Sequence, residues 1–197
     1  MRRIDIIVAL VIGELIALLS LGILRNLGLQ IAWLYWVWPV IVPLGALFGL
    51  TVAYFLGKKF LILWQAAKFV LVGALNTFVD LGVLNILILI TGIATGTLYS
   101  VFKGISFIVA VINSYFWNKH WTFRKKESSD PKKEFTQFFI VSLIGFGINV
   151  GVASLVVNLI GPQFELSENI WGNVGAILAT LCVMTWNFLG YKFIVFK

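Results

Sequence analysis

Six apolar segments separated by short polar links leave this chain few ways to fold. They run from about Ile4 to Leu24, Trp33 to Leu56, Phe69 to Ile90, Tyr99 to Trp117, Phe135 to Ile160 and Ile170 to Leu189. Each is close to the roughly 20 apolar residues a helix needs to cross a bilayer. A backbone in lipid must satisfy its own hydrogen bonds, and such segments do so as helices. Of the 197 residues 60% are hydrophobic and 12% charged, too few polar groups to cover a water-soluble fold. The expected fold class is all-α, a polytopic bundle of six transmembrane spans. Pro39 and Pro43 fall in the second segment and can kink it.

The start, MRRIDIIVALVIGELIALLSLGIL, has the charge pattern of a signal peptide. Its apolar region is too long, Glu14 interrupts it, and no small-x-small cleavage site follows, so it is expected to be a retained first span. Basic residues recur on alternate links. Arg2 and Arg3 precede the first span, and Lys58, Lys59 and Lys68 lie between the second and third. Lys119, Arg124, Lys125, Lys126, Lys132 and Lys133 crowd the link between the fourth and fifth; Lys192 and Lys197 close the chain. The opposite links carry one Arg and two Glu. This positive-inside alternation predicts that both termini are cytoplasmic. The net charge of +7 then reflects topology and anionic lipid rather than nucleic acid. One cysteine, Cys182, and one histidine, His120, exclude an internal disulfide and a metal cluster.

The spans repeat. Residues 68–85, KFVLVGALNTFVDLGVLN, align with 137–154, QFFIVSLIGFGINVGVAS, matching Phe69 with Phe138, Val72 with Val141, Asp80 with Asn149 and Gly82 with Gly151. Residues 114–123, SYFWNKHWTF, align with 187–196, NFLGYKFIVF, matching Tyr115 with Phe188, Lys119 with Lys192 and Phe123 with Phe196. Spans three and four thus resemble spans five and six. Both hairpins start and end on the basic side, so the repeat is parallel. The second span ends in YFLGKKF, an echo of NFLGYKF, which makes the leading hairpin a candidate third copy. The domain reading is a leading hairpin (1–60) followed by a four-span unit (61–197). That unit comprises hairpins over about 66–123 and 135–196, joined by a basic loop at 124–134.

Ionisable groups inside a bilayer are costly and mark candidate sites. Asp80 stands twelve residues past Lys68, about 18 Å into its span, and Lys103 stands sixteen before Lys119, about 24 Å from the same side. The difference of about 6 Å is within the reach of a lysine, so an Asp80–Lys103 pair or a shared polar cavity is expected. The alternative is a Lys103 that snorkels to the interface and a neutral Asp80. Asn76 lies four residues from Asp80 and shares its helix face. Asn85, Asn149 and Asn158 add amides, which also serve as interhelical glue worth roughly 0.6 kcal/mol each. Glu14 is a second mid-span carboxylate, either a proton or polar site or a partner of a neighbouring helix. The patterns GALFG (45–49) and GINVG (147–151) allow close helix approach, within the fold or in a homo-oligomer. No catalytic set, paired metal ligands or phosphate-binding loop is present in the sequence, so no enzyme activity and no cofactor are expected.

Phe69, Val72, Gly73, Asn76, Thr77 and Asp80, the exit Asn118, Lys119, Trp121, Thr122 and Phe123, and the second exit Asn187, Phe188, Lys192 and Phe196 together resemble the GtrA-like family of small membrane proteins. The resemblance covers about residues 66–197. Departures are Ser114 where many members have Asn, with Asn113 adjacent, and Tyr191 where the first exit has Asn118. The resemblance implies a bacterial or archaeal plasma-membrane protein that translocates a polyprenyl-phosphate-linked sugar between leaflets, as a flippase does, for envelope polysaccharide or glycan synthesis. Under that reading Lys68, Lys119 and Lys192 hold the phosphate. Asn118, Trp117 and Trp121 contact sugar or lipid, with Asn113 and Asn187 beside them, and a groove of Asn76, Asp80 and Lys103 carries the head group. Partners would be the lipid-linked sugar and membrane lipid. The alternatives are a non-transporting accessory or anchor of a membrane glycosyltransferase, docked through the basic loop, and a proton-coupled exporter of small cations using Glu14.

Overall fold

The computed structural model describes residues 1–26, 31–58, 60–93, 95–125, 130–165 and 168–197. Lys59, Lys126 and parts of the three links opposite the basic ones lie outside the described residues. Among the described residues six long helices form, each apolar enough to cross a membrane. They are α1 (Arg3–Asn26), α2 (Leu34–Leu56), α3 (Leu61–Thr91), α4 (Gly96–Trp117), α5 (Pro131–Ser154) and α6 (Glu168–Gly190). Three wider-wound π segments extend α4, α5 and α6: π1 (Asn118–Thr122), π2 (Leu155–Ile160) and π3 (Tyr191–Val195). Local chemistry sets several ends. Asp130 caps α5, its side chain accepting from the Lys133 amide at 3.0 Å, and Pro131 follows where no amide is needed. Gly92 closes α3 in the left-handed region at φ 70°, and its amide donates to the Ile88 carbonyl. Pro39 and Pro43 lie inside α2 without ending it.

The helices pack as consecutive hairpins, α1 with α2, α3 with α4 and α5 with α6, and α1 and α2 also pack on α3. The chain divides into two compact units, Met1–Arg124 and Lys125–Lys197. The boundary in packing therefore differs from the boundary at 60 read from the sequence: the leading hairpin shares a core with α3 and α4. In that unit Val8, Ala9, Ile12 and Ile16 of α1 meet Leu50, Val72, Leu75 and Trp121 in one buried cluster. Val8, Ala9, Ile12 and Ile16, at i, i+1, i+4 and i+8, fall on one face of α1, and Val72 and Leu75, three apart, on one face of α3. Large apolar side chains such as Trp36, Phe48 and Leu89 point outward instead, as a lipid-facing surface requires.

Close approach falls at particular glycines. A Cβ at Gly13 would strike the backbone of Pro43, so α1 and α2 meet there through glycine. In the second unit, a Cβ on Gly190 would lie 2.6 Å from Val141 Cγ1, and one on Gly145 would lie 2.5 Å from Asn187 Oδ1. Gly45, Gly49, Gly147 and Gly151, the glycines of the two small-residue patterns, have nothing within 4 Å. The glycines of those patterns therefore do not make the close helix approach within the described residues.

The α3–α4 and α5–α6 hairpins share more than sequence. Phe69 and Phe138 are both buried, as are Val72 and Val141. π1 and π3 occupy aligned positions, 118–122 and 191–195, and each packs on the first helix of its own hairpin. Each closes with the same wide bond, Phe123 N–H to Asn118 O at 2.9 Å and Phe196 N–H to Tyr191 O at 2.8 Å. The exit of α2 ends at Leu56 with an ordinary α-helical bond from Gly57 to Ala53, so the echo in YFLGKKF does not extend to this winding.

Gly13→Leu is expected to destabilise the protein by about 1–3 kcal/mol through overpacking against Pro43. Gly147→Leu, which meets open space, is expected to be neutral or stabilising. Thermal unfolding of both variants in detergent checks this; equal effects would show that α1 and α2 do not touch at Gly13.

Candidate functional site

A polar seam runs along the α3–α4 hairpin. On α4 it uses Lys103, Ser106, Asn113 and Trp117, with Ala110 completing a three–four spacing that keeps one face toward a neighbouring helix. On α3 it uses Asn76 and Asp80, four residues apart. Lys103 Nζ lies 2.5 Å from Asp80 Oδ2, and the Ser106 hydroxyl donates to Oδ1 at 2.6 Å. Ser106 Oγ also lies 3.0 Å from the Lys103 carbonyl, which fixes its rotamer beside the pair. One turn nearer the basic end, Asn113 Nδ2 donates to Asn76 Oδ1 at 3.4 Å, and Trp117 Nε1 donates to Asn113 Oδ1 at 3.1 Å. The pair expected from helix rise thus forms, and a row of amides continues from it. The side chains of Lys103 and Asp80 are 43% and 24% exposed, so the pair is reachable from outside the protein. The second hairpin lacks this chemistry: Asn149 aligns with Asp80, and Ala176 and Ala179 stand where Lys103 and Ser106 would align.

The two exits share a different device. Lys119 Nζ donates to the Tyr115 hydroxyl at 3.1 Å and sits 5.4 Å from that ring's centre. Lys192 Nζ sits 5.9 Å from the Phe188 ring and 5.5 Å from Phe193. A lysine one turn after an aromatic is held over the ring face by cation–π attraction, with its head at the helix end. His120 is exposed and stacks on Phe116. Asn118 is buried and donates to the Ser114 carbonyl at 2.9 Å and hydroxyl at 3.1 Å. Its Oδ1, and Thr122 Oγ1 four residues on, are buried without a partner among the described residues. Asn187 Oδ1 is likewise enclosed, against Gly145. Trp121 is buried, so its ring faces the interior rather than lipid. Glu14 is half-buried on α1, and among the described residues no hydrogen bond or ion pair reaches it. No group of three potential metal ligands assembles among the described residues.

A second centre, missed by the sequence reading, lies at the basic end of the first unit. Asp5 Oδ1 accepts from Lys68 Nζ at 2.5 Å, Arg124 Nη2 at 2.6 Å and Trp121 Nε1 at 3.1 Å. Oδ2 accepts from the Arg2 amide at 3.0 Å, as an acidic residue in a first helical turn does. The side chains of Lys68 and Asp5 are 1% and 2% exposed. Lys68, expected to face a phosphate, is instead enclosed by Asp5 and by the rings of Trp64 and Trp121, whose centres lie 4.6 and 5.0 Å away. Arg124 adopts a left-handed backbone conformation at φ 52°, costly for a residue other than glycine and tolerated where surrounding contacts fix it. The one signal in the sequence was an aspartate in the first turn of a span. Its partners lie 63, 116 and 119 residues away, beyond any pattern along the chain.

The family described as GtrA/DPMS, transmembrane domain, matches residues 68–196. Two relatives from Bacillus subtilis (strain 168) are similar to about two thirds of the chain. The uncharacterized membrane protein YngA is 30% identical over 129 residues, 66% of this chain and 77% of YngA. The uncharacterized membrane protein YwcD is 27% identical over 131 residues, 66% of this chain and 94% of YwcD. No solved structure matches. The match begins at Lys68, so Lys68, Trp121 and Arg124 lie within the family unit while Asp5 comes from the added hairpin.

Asp80→Asn is expected to destabilise the protein, and adding Lys103→Met is expected to recover part of the loss. The coupling between the two substitutions should fall in the range of about 0.5–3 kcal/mol for groups in contact. A double-mutant cycle read by unfolding in detergent checks this, and strictly additive effects would show that the pair is not formed in the membrane protein.

Proposed function

The chain belongs to the GtrA/DPMS transmembrane-domain family, and from that premise we propose that it moves a polyprenyl-phosphate-linked sugar between membrane leaflets for envelope glycan synthesis. Membership itself ties the chain to glycan-linked lipid processes in a membrane; the translocation step is the proposal. The observation that carries it is the reachable Asp80–Lys103–Ser106 set inside a span, continued toward the basic end by Asn76, Asn113 and Trp117. At rest the carboxylate and the ammonium satisfy each other, which offsets the cost of placing charge at that depth. Sugar hydroxyls can both donate to a carboxylate and accept from an ammonium. A head group entering the seam would exchange these bonds one at a time while its hydrocarbon tail stays in lipid. Lys119, in π1 at the basic end of the same hairpin, is placed to attract the phosphate. Lys192 is its counterpart in the second unit. In this reading the basic ends, and with them both termini, face the cytoplasm of a bacterial or archaeal cell.

Reconstituted full-length protein is expected to carry a labelled polyprenyl-phosphate hexose across liposome membranes. Asp80→Asn and Lys103→Met are each expected to slow that flux by about tenfold or more, the loss of roughly 1.4 kcal/mol at the barrier. Wild-type protein that is folded yet carries no lipid would overturn the reading. If such protein instead co-purified stably with a membrane glycosyltransferase, the accessory role would take its place. Flux of small cations lost on Glu14→Gln would indicate an exporter.

A further inference from the structure

We propose that Lys68, Trp121 and Arg124 form a binding site for a phosphate group, and that the Asp5 carboxylate is its resident, displaceable occupant. Three donors from α3, π1 and the residue beyond it converge on the single oxygen Oδ1, at 2.5, 3.1 and 2.6 Å. An ammonium, a guanidinium and an indole N–H arranged around one point are the groups that recognise a phosphate. The charges do not balance with Asp5 alone, since two cations face one carboxylate. A phosphate monoester, with about −1.5 to −2 charges, matches the two cations more closely. It also offers more acceptor oxygens than the carboxylate, enough for these donors and the Arg2 amide that Asp5 now takes.

The geometry provides a route for exchange. Lys68 is sealed at 1% exposure, but the Arg124 side chain is 31% exposed and forms the open edge of the cluster. Asp5 sits in the first turn of α1, ahead of Val8 and Ala9, where the apolar core contacts of that helix begin. The first turn is the cheapest part of a helix to open. The rings of Trp64 and Trp121 remain over Lys68 while the anion changes. Asp5 lies outside the residues matched by the family, so the added hairpin supplies an internal anion to a cradle that the family unit builds. The inference concerns binding alone and stands apart from whether the protein transports lipid.

The test uses the full chain in detergent, with thermal unfolding read in the presence of inorganic phosphate or of a short-chain polyprenyl monophosphate. Asp5→Ala is expected to unfold at a lower temperature than wild type and to recover most of that loss when phosphate is added. Asp5→Asn keeps an acceptor oxygen, is expected to fold without help, and should bind phosphate about tenfold or more tightly than wild type, where the tethered carboxylate competes. Asp5→Ala combined with Lys68→Met should lose the response. Recovery with both ligands supports a general phosphate site, and recovery with the polyprenyl phosphate alone supports a lipid head-group site. The proposal is overturned if neither ligand stabilises Asp5→Ala or Asp5→Asn, or if the Lys68→Met combination responds as strongly as Asp5→Ala.

Discussion

A lysine ammonium enclosed at the end of a membrane helix must meet an anion, because leaving it unpaired costs several kcal/mol. Asp5 meets Lys68 at 2.5 Å, and the architecture of the first unit follows from that contact. It brings the start of α1 against α3. It holds the Trp121 indole inward and draws Arg124 back across the end of the unit through an unfavourable backbone angle. Above it, Val8, Ala9 and Ile12 close on Val72 and Leu75 without a polar interruption. Ions of this kind add little net stability relative to an apolar replacement, but they penalise every arrangement that separates them. The leading hairpin is therefore fixed to the family unit by a specific match, with apolar packing supplying most of the area.

The same frame serves two chemistries in the two hairpins. Both exits wind into π segments closed by the same wide bond, and both hold a lysine over an aromatic ring one turn before it. Beneath the exits they diverge. The α3–α4 hairpin carries the Asp80–Lys103–Ser106 set and its amide row, whereas the α5–α6 hairpin stacks Phe138 on Tyr191 at 4.2 Å and joins Tyr191 to Ser142 at 2.7 Å. One copy of a duplicated hairpin keeps charge in its span; the other has Asn149, Ala176 and Ala179 at the aligned positions and carries its aromatic stack at the exit. In π2 the carbonyl of Val156 accepts both the wide bond from the Gly161 amide at 3.2 Å and the Trp171 indole at 2.8 Å.

Much of this was legible in the sequence because lipid leaves few alternatives. Six spans follow from apolar length, and the Asp80–Lys103 pair follows from helix rise counted back from two basic ends on the same side. The repeat was visible in the spacing of Phe69, Lys119 and their counterparts, which burial and winding reproduce. What escaped depends on which helices become neighbours. Nothing along the chain says that α1 lies against α3, so Asp5 drew no reading and Lys68 looked like an exposed head-group contact. The π winding escaped for a related reason. Its poorer bonds are compensated by buried contacts of Trp121, Thr122, Tyr191 and Val195, which exist only after the hairpins have packed. Trp121 read as an interfacial ring for the same cause, since one aromatic composition serves an outer belt and a buried stack equally well.

The central claim is that the polar face of the α3–α4 hairpin is a wet path through the bilayer rather than internal glue. Water access tests it directly. In a Cys182→Ser background, single cysteines at Asn76, Lys103 and Asn113 would be labelled in intact membranes with a small charged thiol reagent. Cysteines at Leu81 and Ile108, on the outward apolar surface, would serve as the reference. Thiols react as thiolates and need water to ionise. The account expects the three seam positions to react well ahead of the two apolar ones, and protection of Asn113 and Lys103 equal to that of Leu81 and Ile108 would contradict it.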